Sequence, residues 1–314
     1  MNTIKKLLSV ATLLVGVVSA AHAAKVPGPL VSTDWLQNNL QDVVILDVRK
    51  SHEGVKFVPG SVQVPWKQVR TNNQVDKDGE THDKLLPSKQ AFETLMQERG
   101  VNNNSAVVIV TPGTGAGDVT WGTRLYWTLK YYGHDNMALL DGGAAKWTKE
   151  KRPLVPNARN PGKGNFTASA ERRELLATSK DVAEALARGD TQLIDGRDEA
   201  QYLGLGRRPY VSAKGHIKGA INLQPYMLVL NPKNGAKSAP FHDAKTLKAV
   251  AQAKGISIDK PTITYCDSGH LSSGHWFVMS EILGNKNAAV YDGSMHAWTK
   301  DPARNKNVVS LTEN

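Results

Sequence analysis

The sequence predicts an α/β protein of two tandem domains, each a mainly parallel sheet with helices on both faces. Three observations carry this. Segments of the first half return in the second, β-rich apolar runs alternate with helix-period segments in each half, and a stretch rich in Pro, Gly and Asn separates the halves.

The repeat is read from its anchors. "YYGHDNMALLDGGAAKW" (131–147) returns as "ILGNKNAAVYDGSMHAW" (282–298), so that Gly133, Asn136, Asp141, Gly142 and Trp147 recur as Gly284, Asn287, Asp292, Gly293 and Trp298. "VVILDVR" (43–49) returns as "TQLIDGR" (191–197), matching Asp47 with Asp195 and Arg49 with Arg197, and "VPGSVQV" (58–64) returns as "IKGAINL" (217–223). Shared anchors at one offset mark a tandem duplication. The connector "KRPLVPNARNPGKGNFTASA" (151–170) has linker chemistry and is expected to run extended over the surface. The expected domains are 25–150 and 171–314.

In the second copy "TQLID" and "AINL" read as strands, and "FHDAKTLKAVAQAKG" as a helix, with Leu247, Val250 and Ala251 at helical spacing and Gly255 as its C-cap. "PTITY" is a β-branched strand. "SSGHWFVMSEILG" reads as a helix capped by Ser272 or Ser273, and "AAVYDGS" as the last strand. Strands separated by helices give a parallel sheet, where ligands sit beyond the carboxyl ends of strands.

The chain begins with Lys5 and Lys6, an apolar run over 7–18, and the triplet Ala21-His22-Ala23. That order reads as a Sec-type signal peptide over 1–23, too short in its apolar part to span a bilayer, so a periplasmic or secreted protein starting near Ala24 is expected. Removing Lys5 and Lys6 takes the formal net charge from +10 to +8. The basic residues are scattered, without the concentrated stripe that nucleic acid requires, so no nucleic-acid partner and no membrane insertion after cleavage are expected. Small anions suit this balance.

Cys266 is the single cysteine, so no internal disulfide is available to an exported chain. It follows "TITY" and opens the loop Cys266-Asp267-Ser268-Gly269-His270-Leu271-Ser272. Backbone amides of a loop entering a helix converge and stabilise an anion, and Gly269 permits the turn. His270 offers a positive charge or a donor, and Asp267 is expected to face solvent. A cysteine phosphatase places an arginine six residues after the cysteine, where this chain has Ser272, so the phosphate clamp is missing. Cys266, His270 and His275 match no common metal spacing, and no metal is expected. Sulfur transfer needs one thiolate and amides to hold a persulfide, and fits best.

These motifs resemble the tandem rhodanese-domain sulfurtransferases, the thiosulfate and 3-mercaptopyruvate sulfurtransferase family. The resemblance rests on "LIDGR…E…Y", "GHIKGAINL", "TYCDSGH" and "DGSMHAW", with "ILDVRKSHE", "VPGSV", "RLYWTLKYYGH" and "DGGAAKW" in the first copy. It implies two rhodanese-like domains, the C-terminal one catalytic, with no metal or organic cofactor. The sequence supports that asymmetry itself, because Gly100 and Gly255 align and set Thr111 against Cys266. A threonine hydroxyl forms no stable persulfide, so the first copy is silent and is free to wall the cleft.

The resemblance also implies the mechanism. The Cys266 thiolate takes a sulfane sulfur from thiosulfate or 3-mercaptopyruvate and yields it to cyanide, a thiol or a protein cysteine. The amides of residues 267–272 hold the charge. Arg197 stands where family members hold the donor's anionic group, with an Asp195–Arg197 structural pair as its other reading; Arg207 and Arg208 lie in a segment that family enzymes use for anion contacts, with a solvated charge as their other reading. His216 is expected to support the fold. Ser268 matches mercaptopyruvate-type loops, whereas Phe57 stands where those enzymes carry a histidine. Two further readings stay open: a persulfide carrier delivering sulfur to another exported protein, and an anion-binding scaffold with an incidental cysteine.

Overall fold

The computed structural model describes residues 24–76, 78–230 and 237–313, and the leader read as a signal peptide lies outside them. In the first half the strands are β1 (Leu30–Val31), β2 (Val44–Arg49), β3 (Ser61–Pro65), the small antiparallel pair β4 (Gln74–Val75) and β5 (Thr81–His82), β6 (Val107–Val110) and β7 (Met137–Leu140). Its helices are α1 (Thr33–Asn38), α2 (Lys89–Glu98), α3 (Ala116–Tyr131) and α4 (Gly143–Lys149). The second half has β8 (Leu176–Ala177), β9 (Gln192–Asp195), β10 (His216–Ile217), β11 (Ile221–Asn222), β12 (Thr262–Tyr265), β13 (Ala288–Tyr291) and β14 (Val308–Val309). With them run α5 (Ser179–Arg188), α6 (Glu199–Leu203), α7 (Ala244–Ala253), α8 (His270–Trp276), α9 (Ser294–Trp298) and α10 (Pro302–Asn305).

Each half forms a five-stranded parallel sheet, ordered β1-β7-β6-β2-β3 in the first and β8-β13-β12-β9-β11 in the second. The same order twice is the duplication in three dimensions. Alternation along the strands feeds two faces: Leu46, Val107 and Ile109 point to one core, while Ile45 and Val108 point to another with Trp147. The inner core runs across the domain junction, joining Trp127 and Tyr126 of α3 to Trp276 and Phe277. The outer face of the second sheet has its own cluster around Tyr265, Tyr291 and Trp298. Among the described residues no helix is long and apolar enough to cross a membrane.

The connector (151–170) contains no helix and is tied to the first half, by the Phe57–Val155 bridge and by Gly164 and Phe166 amides donating to the Gln97 and Val101 carbonyls. Two element readings change. The helix after Cys266 begins at His270 behind Gly269, not behind Ser272 or Ser273. Both serines lie inside it, where the Ser273 hydroxyl bonds back to the His270 carbonyl at 2.7 Å. The chain then widens into a π turn over Phe277–Ile282. Helix α7 ends on Lys254 one residue before Gly255, whose φ of +72° turns the chain out.

The halves meet through α3 and α8. Thr123 and Ser273 hydroxyls bond at 2.8 Å, and Tyr126 and Lys130 hold Glu281 at 2.9 and 3.0 Å. Two carboxylates clasp the junction reciprocally. Asp292 accepts the Leu86 amide at 2.7 Å, and its repeat counterpart Asp141 accepts the Phe241 amide at 2.9 Å. Asp292 also pairs with the buried Arg124 of α3.

Candidate active site

Cys266 sits directly after β12, a strand flanked by β9 and β13, so the sheet delivers it to the carboxyl edge where α8 begins. It is buried, at 1% exposure. Its loop is braced from the β13–α9 turn: the Met295 and His296 amides donate to the Cys266 and Asp267 carbonyls, each at 3.0 Å. Ser294 completes the brace. Its hydroxyl accepts the Cys266 amide at 3.1 Å and the Gly269 amide at 3.0 Å. Ser294 holds φ at +51°, a left-handed conformation that a serine keeps only where its surroundings impose it. Gly269 is obligatory, since its φ is +69° and a Cβ would lie 2.3 Å from an Asp292 oxygen and 2.6 Å from Arg124 Nη1.

The amide cradle is therefore narrower than residues 267–272. The Gly269 N–H is consumed by Ser294, while the Asp267 and Ser268 amides make no hydrogen bond among the described residues. His270, Leu271 and Ser272 open α8, where the first amides have no partner within the helix. Leu271 lends its carbonyl to His275 Nδ1 at 3.0 Å. The Ser272 hydroxyl is buried without a hydrogen-bond partner among the described residues.

Asp267 does not face solvent. It is buried at 5% exposure, accepts from Gln201 Nε2 at 3.0 and 3.2 Å, and lies 3.6 Å from Arg197 Nη1 and 3.7 Å from Arg208 Nε. Burial raises its carboxyl above the usual range, against the pull of Arg197 and the Gln201 bond.

His270 brings no charge. Its Nε2 bonds the Thr120 hydroxyl at 2.9 Å and its ring lies 4.6 Å from Trp66. Burial, then the nearby Arg70 and Arg124, push its pKa well below the ordinary histidine value, so the imidazole is neutral at physiological pH. His216 has the fold role expected of it: Nδ1 meets the Tyr202 carbonyl at 2.7 Å and the ring stacks on Tyr202 at 3.7 Å.

The three arginines read from the sequence part ways. Arg197 is fully buried, bonded to Asp195 at 2.6 Å and to the Gly215 carbonyl at 2.7 Å; its Nη1 makes no hydrogen bond among the described residues and lies 3.6 Å from Asp267. Arg207 turns to the Val211 carbonyl at 2.5 Å. Arg208 stays at the rim with its side chain 59% exposed, beside Asp267.

The cation beside the thiol comes instead from the first half. Arg70, just after a 3₁₀ turn (Trp66–Val69), lies 4.5 Å over the Trp66 ring and donates to Ser268 Oγ at 3.4 Å. It is close enough to Cys266 for the two charges to couple. Burial, and then Arg124, bring its pKa down to about 10, which still leaves a cation at neutral pH. Tyr210 also lies against Ser268, its ring held 5.5 Å from His296 and 4.3 Å from Lys84 Nζ.

Sequence reasoning missed Arg70, Trp66, Thr120, Arg124 and Ser294. Only Ser294 left a signal, as the serine of "DGS" replacing Gly143 of "DGG". Among the described residues one group, Asp76, Glu80 and His82, brings its atoms close enough to share a cation. Both Glu80 oxygens are taken by Arg304, at 2.9 and 3.0 Å.

A doubled parallel sheet thus carries a lone buried cysteine on a braced turn at one strand end. The chain belongs to the rhodanese family: the rhodanese-like domain model matches residues 32–150 and 178–301. It is 31% identical over 282 residues, 86% of this chain and 92% of the other, to a protein of Saccharopolyspora erythraea provisionally named thiosulfate sulfurtransferase. It is 28% identical to the thiosulfate sulfurtransferase of Cricetulus griseus, covering 86% and 91%, and 30% identical to the sulfur carrier protein TtuD of Thermus thermophilus, covering 87% and 94%. Among solved structures it shares the fold of the 3-mercaptopyruvate enzyme SseA from Escherichia coli, with a TM-score of 0.69 at 24% identity, covering 87% and 99%. The protein is an enzyme of the thiosulfate or 3-mercaptopyruvate sulfurtransferase type, which requires a sulfur donor and an acceptor.

Proposed function

We propose that Cys266 carries the transferred sulfur as a persulfide. Its thiolate attacks the outer sulfur of thiosulfate, a new S–S bond forms, and the old one breaks with its electron pair leaving on sulfite. A thiophilic acceptor (cyanide, a thiol or a protein cysteine) then attacks the outer sulfur and returns the thiolate; with cyanide the product is thiocyanate. With 3-mercaptopyruvate the carbon–sulfur pair leaves as an enolate, which takes a proton to give pyruvate. Fixed amides and a cation aimed at the reacting sulfur cost no reorganisation during these steps. The single observation that carries this reading is the Ser294 brace, which fixes the Cys266 loop with the Asp267 and Ser268 amides unpaired.

The test is mass spectrometry of the Cys266 peptide after donor treatment. One added sulfur, removed by cyanide, is expected; an unmodified peptide under turnover overturns the reading. A second reading, a persulfide carrier for another exported protein, is favoured by the likeness to a named sulfur carrier. Slow turnover with cyanide beside fast transfer to a protein thiol would select it. The leader supports a periplasmic or secreted location, and amino-terminal sequencing of the exported protein is expected to start near Ala24.

A further inference from the structure

Positive charge near Cys266 is scarce. The loop offers Asp267 and Ser268 in its first two places after the cysteine, and a neutral His270. Arg197 is fully buried and bonded to Asp195 and Gly215, with Nη1 unpartnered among the described residues beside Asp267, and Arg207 is bonded to Val211. Arg124, fully buried, gives Nη1 to Asp292 and the Gly269 carbonyl, while its Nε and Nη2 have no hydrogen-bond partner among the described residues. Lys50 lies over Trp121 at 5.7 Å, and Arg208 stands outside beside Asp267. Arg124 and Arg197 are fully buried, whereas Arg70 combines proximity to the thiol with a partly exposed and largely uncommitted fork. Its one hydrogen bond, 3.4 Å to Ser268, is long and weak, and the rest of its guanidinium makes none among the described residues.

We propose that Arg70, from the catalytically silent half, binds the donor's oxyanion, and that it selects donors whose charge lies on the atom bearing the transferable sulfur. The inference rests on sulfur transfer at Cys266. Stacking on Trp66 fixes the guanidinium plane, and Ser268 places one edge two residues from the nucleophile. A sulfonate-type donor such as thiosulfate puts its oxygens on the atom next to the sulfur under attack, two bonds from it. A carboxylate donor such as 3-mercaptopyruvate carries its charge two carbons further away. The tight burial of Cys266 and Ser268, at 1% and 6% exposure, also favours the compact ion. In the transfer the same fork faces the sulfite that departs with the electron pair.

The full-length protein and its Arg70→Gln and Arg70→Lys variants test this, with thermal melting as the check on folding. Loss of one charge-assisted contact is expected to raise the thiosulfate KM of Arg70→Gln roughly 30-fold, with kcat changed much less. Lysine should restore part of the loss, and the KM for 3-mercaptopyruvate should move only a few-fold. An unchanged thiosulfate KM overturns the clamp, and equal shifts for both donors overturn the selection. A second readout needs no turnover: sulfite should protect Cys266 from iodoacetamide in the wild type, and Arg70→Gln should need far more sulfite. Protection undiminished in that variant overturns the proposal even if transfer at Cys266 is upheld. If Cys266 takes no sulfur, protection lost in the variant still supports anion binding by Arg70.

Discussion

The turn after β6 and the turn after β12 occupy equivalent places in equivalent sheets, yet one is closed and the other is armed. In the first, Thr111 leads into a loop that lies on its own β7–α4 turn: Ala144 donates to the Thr111 carbonyl at 2.8 Å, and a Cβ on Gly113 would stand 2.1 Å from the Gly142 oxygen. Phe241 covers what remains, leaving a cavity of about 10 Å³. In the second, the same carbonyl brace persists at Cys266 and Asp267, but Ser294 replaces Gly143 and draws two amides to its hydroxyl. The difference teaches that the cysteine is only part of what separates the copies. A hydroxyl in the bracing turn and an arginine from the opposite half complete the armed site.

The largest effect should come from erasing the difference at the nucleophile. Cys266→Ser is expected to lower sulfurtransferase turnover by roughly a thousandfold or more with the melting temperature unchanged, since no other thiol is present. Adding Thr111→Cys to that variant should restore nothing, because the first turn has no room for a donor; recovered thiocyanate production would break the comparison.

Next comes the ion pair on which the armed turn leans. Arg124→Met leaves Asp292 buried and uncompensated, and loss of one partner from such a pair costs about 3–5 kcal/mol, measurable by denaturant unfolding. A loss below about 1 kcal/mol would show the junction standing on apolar packing alone.

Ser294→Gly copies the silent half directly. It removes the acceptor of two loop amides while suiting the +51° backbone, so kcat is expected to fall about tenfold, one hydrogen bond's worth, with little change in stability. An unaltered kcat would remove the hydroxyl from the comparison.

The smallest effect concerns Asp267. Its folded pKa is raised, so the folded chain holds that proton more tightly than the unfolded chain does. Ionising it costs stability, fully above the folded pKa and not at all below the unfolded value. Asp267→Asn should therefore melt higher than the wild type near neutrality, by a few degrees, with the gap closing as pH falls through the carboxylate range. A gap that widens on acidification would mean that the Arg197 contact dominates.

Much of the fold was legible because the chain states it twice. Anchors such as Asp141 and Asp292 mark the repeat, the alternation of strands with helices gives the parallel sheet, and the β-branched run before Cys266 puts it at a strand end. What the repeat could not give was anything crossing between halves. Arg70 is nearly 200 positions from Ser268, so no local spacing connects them. Asp267 was misjudged although its partners lie in its own half, because Gln201 and Arg197 stand more than sixty positions before it. The serines of α8 looked like caps because caps are usually local; here the loop amides turn to Ser294 on another strand's exit.

The reciprocal grip of Asp292 on Leu86 and of Asp141 on Phe241 bears on how the chain tolerates being cut. Neither half presents a finished surface to water, because α3 and α8 cover each other's apolar side. A protease nick in the connector (151–170) is thus expected to yield two fragments that remain associated, while the half bearing Cys266 made alone would lack Arg70 and expose Trp276 and Phe277. The duplication has made the protein a complementing pair held in one chain.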